Sequence, residues 1–170
     1  MEPLATLTEL ARASISTALK RHGVELPKHN VQMAPKVAED LISIGTPFHY
    51  QQLEEAFLYC MDLFEMQKGL KLESEIFEKY QLTPADFKDN SWIVAILNET
   101  MVATSPKAKL GQLLACIAFL AHVCTRQVKA GVKVDEEYMD MVLSSIGHVG
   151  SLDKWAEMCA AMVYIREVEV

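Results

Sequence analysis

Apolar positions along this chain recur mainly at helical spacing. Leu7, Leu10, Ala11, Ile15, Ala18 and Leu19 share one face of a first segment, which the pair Thr6 and Glu9 is expected to open as a capping box and which ends near Gly23. Val37, Leu41 and Ile44 mark a short second helix between Pro35 and the Gly45/Pro47 stop. Leu53, Phe57, Met61 and Phe64 mark a third helix, which Gly69 is expected to punctuate before Leu72, Ile76, Phe77 and Tyr80 mark another segment. Thr83-Pro84 opens a helix carrying Phe87, Ile93, Ile96, Leu97 and Met101. Ser105-Pro106 repeats the signal ahead of Leu110–Val128. Beyond Gly131, Asp135 caps a helix with Tyr138, Met141, Val142, Ser145 and Val149, and Ser151 caps a last one with Trp155, Cys159 and Met162 on one face.

The segment Leu110–Val128 differs from the rest. Leu110, Leu113, Leu114, Ile117, Leu120, Cys124 and Val128 lie at helical spacing, while Cys116, Phe119 and Val123 fill the other faces. A helix apolar on nearly every side belongs inside a protein core or a membrane. Its unbroken apolar part ends at His122, well short of the ~20 residues that a bilayer demands. The expected architecture is therefore all-α: a single domain over residues 1–170, a helical bundle in which amphipathic helices wrap a buried central hydrophobic helix. No alternating strand pattern, repeat or low-complexity segment competes with this reading.

Composition narrows the functions. Hydrophobic residues make up 51% and charged residues 23%, a globular balance. A net charge of −7 disfavours nucleic acid, whose phosphates demand clustered Lys and Arg. The N-terminus lacks the basic and apolar pattern of a secretory signal, and no membrane anchor is visible. Cys60, Cys116, Cys124 and Cys159 all fall in apolar helical patterns, the pattern of buried free thiols in a reducing compartment.

No catalytic constellation emerges. The five histidines form no ligand pair at helical spacing with an acidic neighbour, so neither a metal nor a cofactor is expected. His122 and Cys124 stand two residues apart and face different ways on a helix, which reads as a rim histidine beside a core thiol. Glu54, Glu55, Asp135, Glu136 and Glu137 sit on polar faces or caps. The expectation is a binding protein and not an enzyme.

Several runs, in order, carry a resemblance. Lys109-Leu110-Gly111-Gln112 stands where the B-cell-lymphoma-2 family of apoptosis regulators has an Asn-Trp-Gly-Arg signature at the start of its central helix. The glycine is kept and the arginine is lost. Ala115, Phe119, Cys124 and Val128 follow with the same residue types. Leu41-Ile42-Ser43-Ile44-Gly45-Thr46-Pro47-Phe48 resembles the third homology segment, with Thr46 replacing its Asp. Ile96–Met101 is similar to the helix before the signature, and Trp155 falls where the second homology segment carries tryptophan.

The resemblance implies a Bcl-like fold with an apolar groove that takes the amphipathic homology-3 helix of a pro-death family member. Carried over position by position, the groove comprises Phe48, Leu53, Phe57, Ile96, Thr100, Lys109, Gly111, Gln112, Leu114, Ala115 and Phe119. Gln112 replaces the arginine that pairs with the ligand's Asp, which implies narrow ligand selectivity. Thr46 and Pro47 make a poor homology-3 ligand of the chain itself, which favours a pro-survival role. The degree of divergence resembles that of viral homologues, with action in the cytoplasm or, through partners, at the mitochondrial surface. Two alternatives are a membrane-acting pro-death effector of the same fold and a helical self-association module without a groove. A homodimer is compatible with either a groove or a module.

Overall fold

The computed structural model describes residues 2–25, 49–72, 74, 109–148 and 155–169. The expected helices around Val37, Ile76 and Phe87 lie outside these residues, as do Ser105-Pro106, Val149 and Ser151. Among the described residues the structure is all-helical, with five α-helices and no strand: α1 (Glu2–Lys20), α2 (Tyr50–Leu72), α3 (Lys109–Lys129), α4 (Glu136–Ser144) and α5 (Trp155–Glu169). A 3-10 turn, Ser145–His148, follows α4.

α1 begins at Glu2, one turn before the expected capping box. Pro3 suits a first helical turn, where its missing N–H costs nothing. Thr6 is therefore an interior residue, fully buried, and not an N-cap. Its face of Leu7, Leu10, Ala11, Ile15 and Leu19 is buried, as the spacing requires.

α2 also departs from expectation. It runs straight through Gly69 to Leu72, so Leu72 belongs to this helix. A glycine ends a helix by adopting positive φ. Gly23 and Gly131 do so, at φ 75 and φ 89, whereas Gly69 stays helical. At both true ends the same pattern of bonds appears: Val24 N–H donates to Leu19 O at 3.1 Å and Gly23 N–H to Lys20 O at 3.0 Å; Val132 N–H donates to Gln127 O at 2.9 Å and Gly131 N–H to Val128 O at 3.0 Å. These paired bonds satisfy carbonyls that a helix end leaves open.

α3 is the buried helix. Leu113, Cys116, Ile117, Ala118, Phe119, Leu120, Val123 and Cys124 lie in the core, covering every face of its middle. It packs against α1 and α2; α2 packs in turn against α5, and α1 against α4 and the 3-10 turn. α5 buries Trp155, Met158, Cys159, Met162 and Val163, a strict one-face spacing. Asp135 caps α4 as its position suggested, accepting from Tyr138 N–H at 2.9 Å, with Glu136 and Glu137 in the first turn where the helix dipole favours them. Glu136 also binds Arg12 of α1 at 2.8 Å, and Arg12 is buried. On the outer side Glu55 of α2 meets Arg166 of α5 at 3.5 Å.

All four cysteines are buried and none is in a disulfide. Burial pushes the thiols of Cys116 and Cys124 up to about 12; at Cys124 a hydrogen bond with Tyr138 pulls the other way. They behave as small apolar core residues.

Candidate functional site

The expected groove residues divide by element. Phe48, Ile96 and Thr100 lie outside the described residues. Leu53 and Phe57, on the inner face of α2, are fully buried. From α3 come Lys109, Gly111 and Gln112 in the first turn, then Leu114, Ala115 and Phe119. The side chains of Lys109 and Gln112 are outside the described part. Phe119 is in the core, Leu114 is 8% exposed, and Ala115 is half-buried. Helix pairing thus joins α2 to α3 and places Leu53, Phe57, Leu114 and Phe119 in one apolar cluster.

Gly111 stands apart from that cluster. It is exposed, and a Cβ added to it would meet nothing within 4 Å among the described residues. Glycine in a helix is unfavourable by roughly 0.5–1 kcal/mol relative to alanine. No described neighbour in this chain demands it there. The beginning of the buried helix therefore offers a bare backbone to the outside, edged by the half-buried Leu110 and Ala115.

Trp155, matched to the second homology segment, is 2% exposed, and its indole Nε1 has no hydrogen-bond partner among the described residues. It belongs to the α5 face that packs on α2.

A second feature was missed in the sequence. His122 of α3 faces Glu65 of α2, with Nε2 at 2.8 Å from Oε1 and 3.0 Å from Oε2. The pair lines a cavity of about 270 Å³ between α1, α2 and α3, shared with Ser14, Thr17, Arg21, Asp62 and Thr125 among others. Thr17 and Thr125 donate their hydroxyl protons to Ala13 O and Ala121 O one turn back, at 2.9 and 3.0 Å. The rim position of His122 and the core position of Cys124 match the reading of the helix; the carboxylate partner comes from 57 residues away. The signal that could have found it is Gly69, an unexplained glycine one turn after Glu65 in a helical pattern.

Among the described residues no three His, Cys, Asp or Glu side chains are grouped so as to hold a metal ion, and no helix is long and apolar enough to cross a membrane. Comparison of the chain with protein-family models, curated proteins and solved structures finds no match.

Proposed function

We propose that this chain is a pro-survival regulator of the B-cell-lymphoma-2 type, of viral style, which sequesters the amphipathic homology-3 helix of pro-death proteins in a groove along α2 and the start of α3. The observation that carries the reading is Gly111, exposed on the first turn of the buried helix with open space where a Cβ would stand. A glycine that no described neighbour requires suits a close-approaching backbone from outside. The apolar residues behind it, Leu114 and Phe119 with Leu53 and Phe57 of α2, supply the wall into which ligand anchors at one-turn spacing would press. Those four are packed in the free chain, so ligand entry involves separation of α2 from α3 at that end. The partners are pro-death proteins met in the cytoplasm or at the mitochondrial surface.

The test is calorimetric titration of the full chain with a panel of synthetic homology-3 peptides, beside Gly111→Glu. Saturable binding at micromolar affinity or better, abolished in Gly111→Glu while its helical circular dichroism persists, is the expected outcome. Absence of heat across the panel sinks the reading, as does equal binding by a folded Gly111→Glu variant.

A further inference from the structure

Glu65 and His122 tie α2 to α3 through a carboxylate that brings both oxygens to one ring nitrogen, at 2.8 and 3.0 Å. The two side chains are 33% and 18% exposed, which places the pair at the edge of the core. Gly69 makes the reach possible: a Cβ there would fall 2.6 Å from Glu65 Oε2, so any other residue would push the carboxylate aside. Glycine is a poor helix former in mid-helix, and here its missing side chain is the space that the carboxylate occupies.

We propose that Glu65, His122 and Gly69 form a protonation-controlled clasp that closes α2 onto α3 as the His122 ring takes up its proton. A neutral imidazole offers the Glu65 carboxylate an N–H bond charged on one side alone; an imidazolium puts charge on both partners and so holds the carboxylate more strongly. Other charges around the cavity modulate this contact. From the turn after α1 come Arg21 and His22, from α2 Asp62, and from α3 Lys129. Arg21 and Asp62 bind each other at 3.1 Å on the exposed rim and largely cancel. His22 and Lys129 oppose a second positive charge, but both are exposed, where salt and water screen them. The Glu65 carboxylate touches the ring directly. The sign follows: the folded chain favours the protonated ring, so the added stability is fully present below the ordinary imidazole range and is lost as pH rises through the folded-state titration of His122. The clasp does not rest on the ligand-helix reading; if that reading holds, acid would stiffen the α2–α3 wall of the groove.

The test is a double-mutant cycle on the full chain, with His122→Gln, Glu65→Gln and both together, unfolded by denaturant at pH 6 and pH 8. The expected coupling is larger at pH 6 by roughly fivefold in the unfolding equilibrium constant, the gain from charging both partners of the bond and not the carboxylate alone. Ring-proton NMR supplies the second arm, with His122 assigned by its loss in His122→Gln. Its titration midpoint falls in Glu65→Gln and in Gly69→Ala. A coupling equal at both pH values, or a His122 midpoint indifferent to both substitutions, overturns the clasp. Should His122→Gln fail to fold, the midpoints in Glu65→Gln and Gly69→Ala decide it.

Discussion

Tyr138 donates its phenolic hydrogen to Gln127 Oε1, joining α4 to the last turn of α3 across the Gly131 turn, with both side chains buried. Cys124 lies against the same hydroxyl, so the phenol, amide and thiol form one polar knot inside an otherwise apolar contact. The hydroxyl's removal takes away a buried bond to Gln127 and another to Cys124, each worth about 0.5–1.5 kcal/mol net. Tyr138→Phe is therefore expected to lose about 1–2 kcal/mol in denaturant unfolding, with an unchanged m-value. A loss below about 0.3 kcal/mol would mean that water replaces the phenol at no cost.

Alkaline destabilisation has an identifiable source. Cys116 and Cys124 titrate near 9 when unfolded and are pushed up to about 12 by burial in the fold. The folded state thus holds its thiol protons more tightly, so stability is fully present below the unfolded value and falls as pH climbs between the two. Between pH 8 and 10 each thiol contributes a loss of about 1.4 kcal/mol by linkage. Burial pushes the phenols of Tyr50 and Tyr138 up as well, with Glu54 adding to the effect at Tyr50 and Cys124 at Tyr138, and they extend the decline. Unfolding curves measured from pH 7 to 10.5 check this: the Cys116→Ala and Cys124→Ala variants, although less stable at pH 7, are each expected to show a shallower alkaline slope. Parallel slopes in the variants and the parent chain would assign the decline to other groups.

Gly131 and Gly111 give opposite expectations for the same substitution. Gly131 holds φ 89, a conformation that an L side chain adopts at a cost of about 1–2 kcal/mol, so Gly131→Ala is expected to destabilise by that amount. Gly111 is helical and a Cβ there meets none of the described residues, so Gly111→Ala is expected to be neutral or to stabilise by about 0.5 kcal/mol. Thermal melts of the two variants check the contrast. In the proposed function the stabilised Gly111→Ala chain would nonetheless bind homology-3 peptides more weakly, because its new methyl group occupies the space left for a ligand backbone. A Gly111→Ala chain that is both more stable and equally tight would remove the reason for a glycine at that position.

The buried helix was legible because its apolar residues leave no polar face from Leu113 to Cys124, and that pattern has one physical outcome in a chain of this kind. Asp135 was legible for a local reason: a short acceptor side chain before an apolar-periodic run meets the N–H three residues on. Thr6 was misread because a capping box resembles an ordinary Thr and Glu on adjacent turns, and the local sign of an earlier start is a lone proline, Pro3, that suits a first helical turn. Gly69 was misread because glycine usually stops a helix by turning left-handed, whereas here it clears space for Glu65. The contacts Glu65–His122 and Arg12–Glu136 join residues 57 and 124 apart, and helical periodicity carries no information about which helix faces which. The apolar character of Leu53, Phe57, Leu114 and Phe119 was legible in the sequence; that Leu53, Phe57 and Phe119 are closed into the core of the free chain was not, because burial is set by the helix that packs over them.

Position 112 offers the sharpest test of selectivity in the proposed function. The family signature that the start of α3 resembles carries an arginine there, and this chain has Gln112. A guanidinium makes a bidentate, charge-assisted contact with a ligand Asp, whereas an amide offers a neutral bond, a difference of about 1 kcal/mol or more. Gln112→Arg is therefore expected to tighten binding of Asp-bearing homology-3 peptides by roughly fivefold or more and to enlarge the set of peptides that bind. The added affinity should shrink as salt is raised, because screening weakens an ion pair at the edge of a groove. Peptides in which that Asp is replaced by Asn should gain far less from the arginine. Calorimetry of the Asp and Asn peptide pair against both chains separates the two contributions, and an equal gain for both peptides would show that residue 112 does not read the ligand's acid.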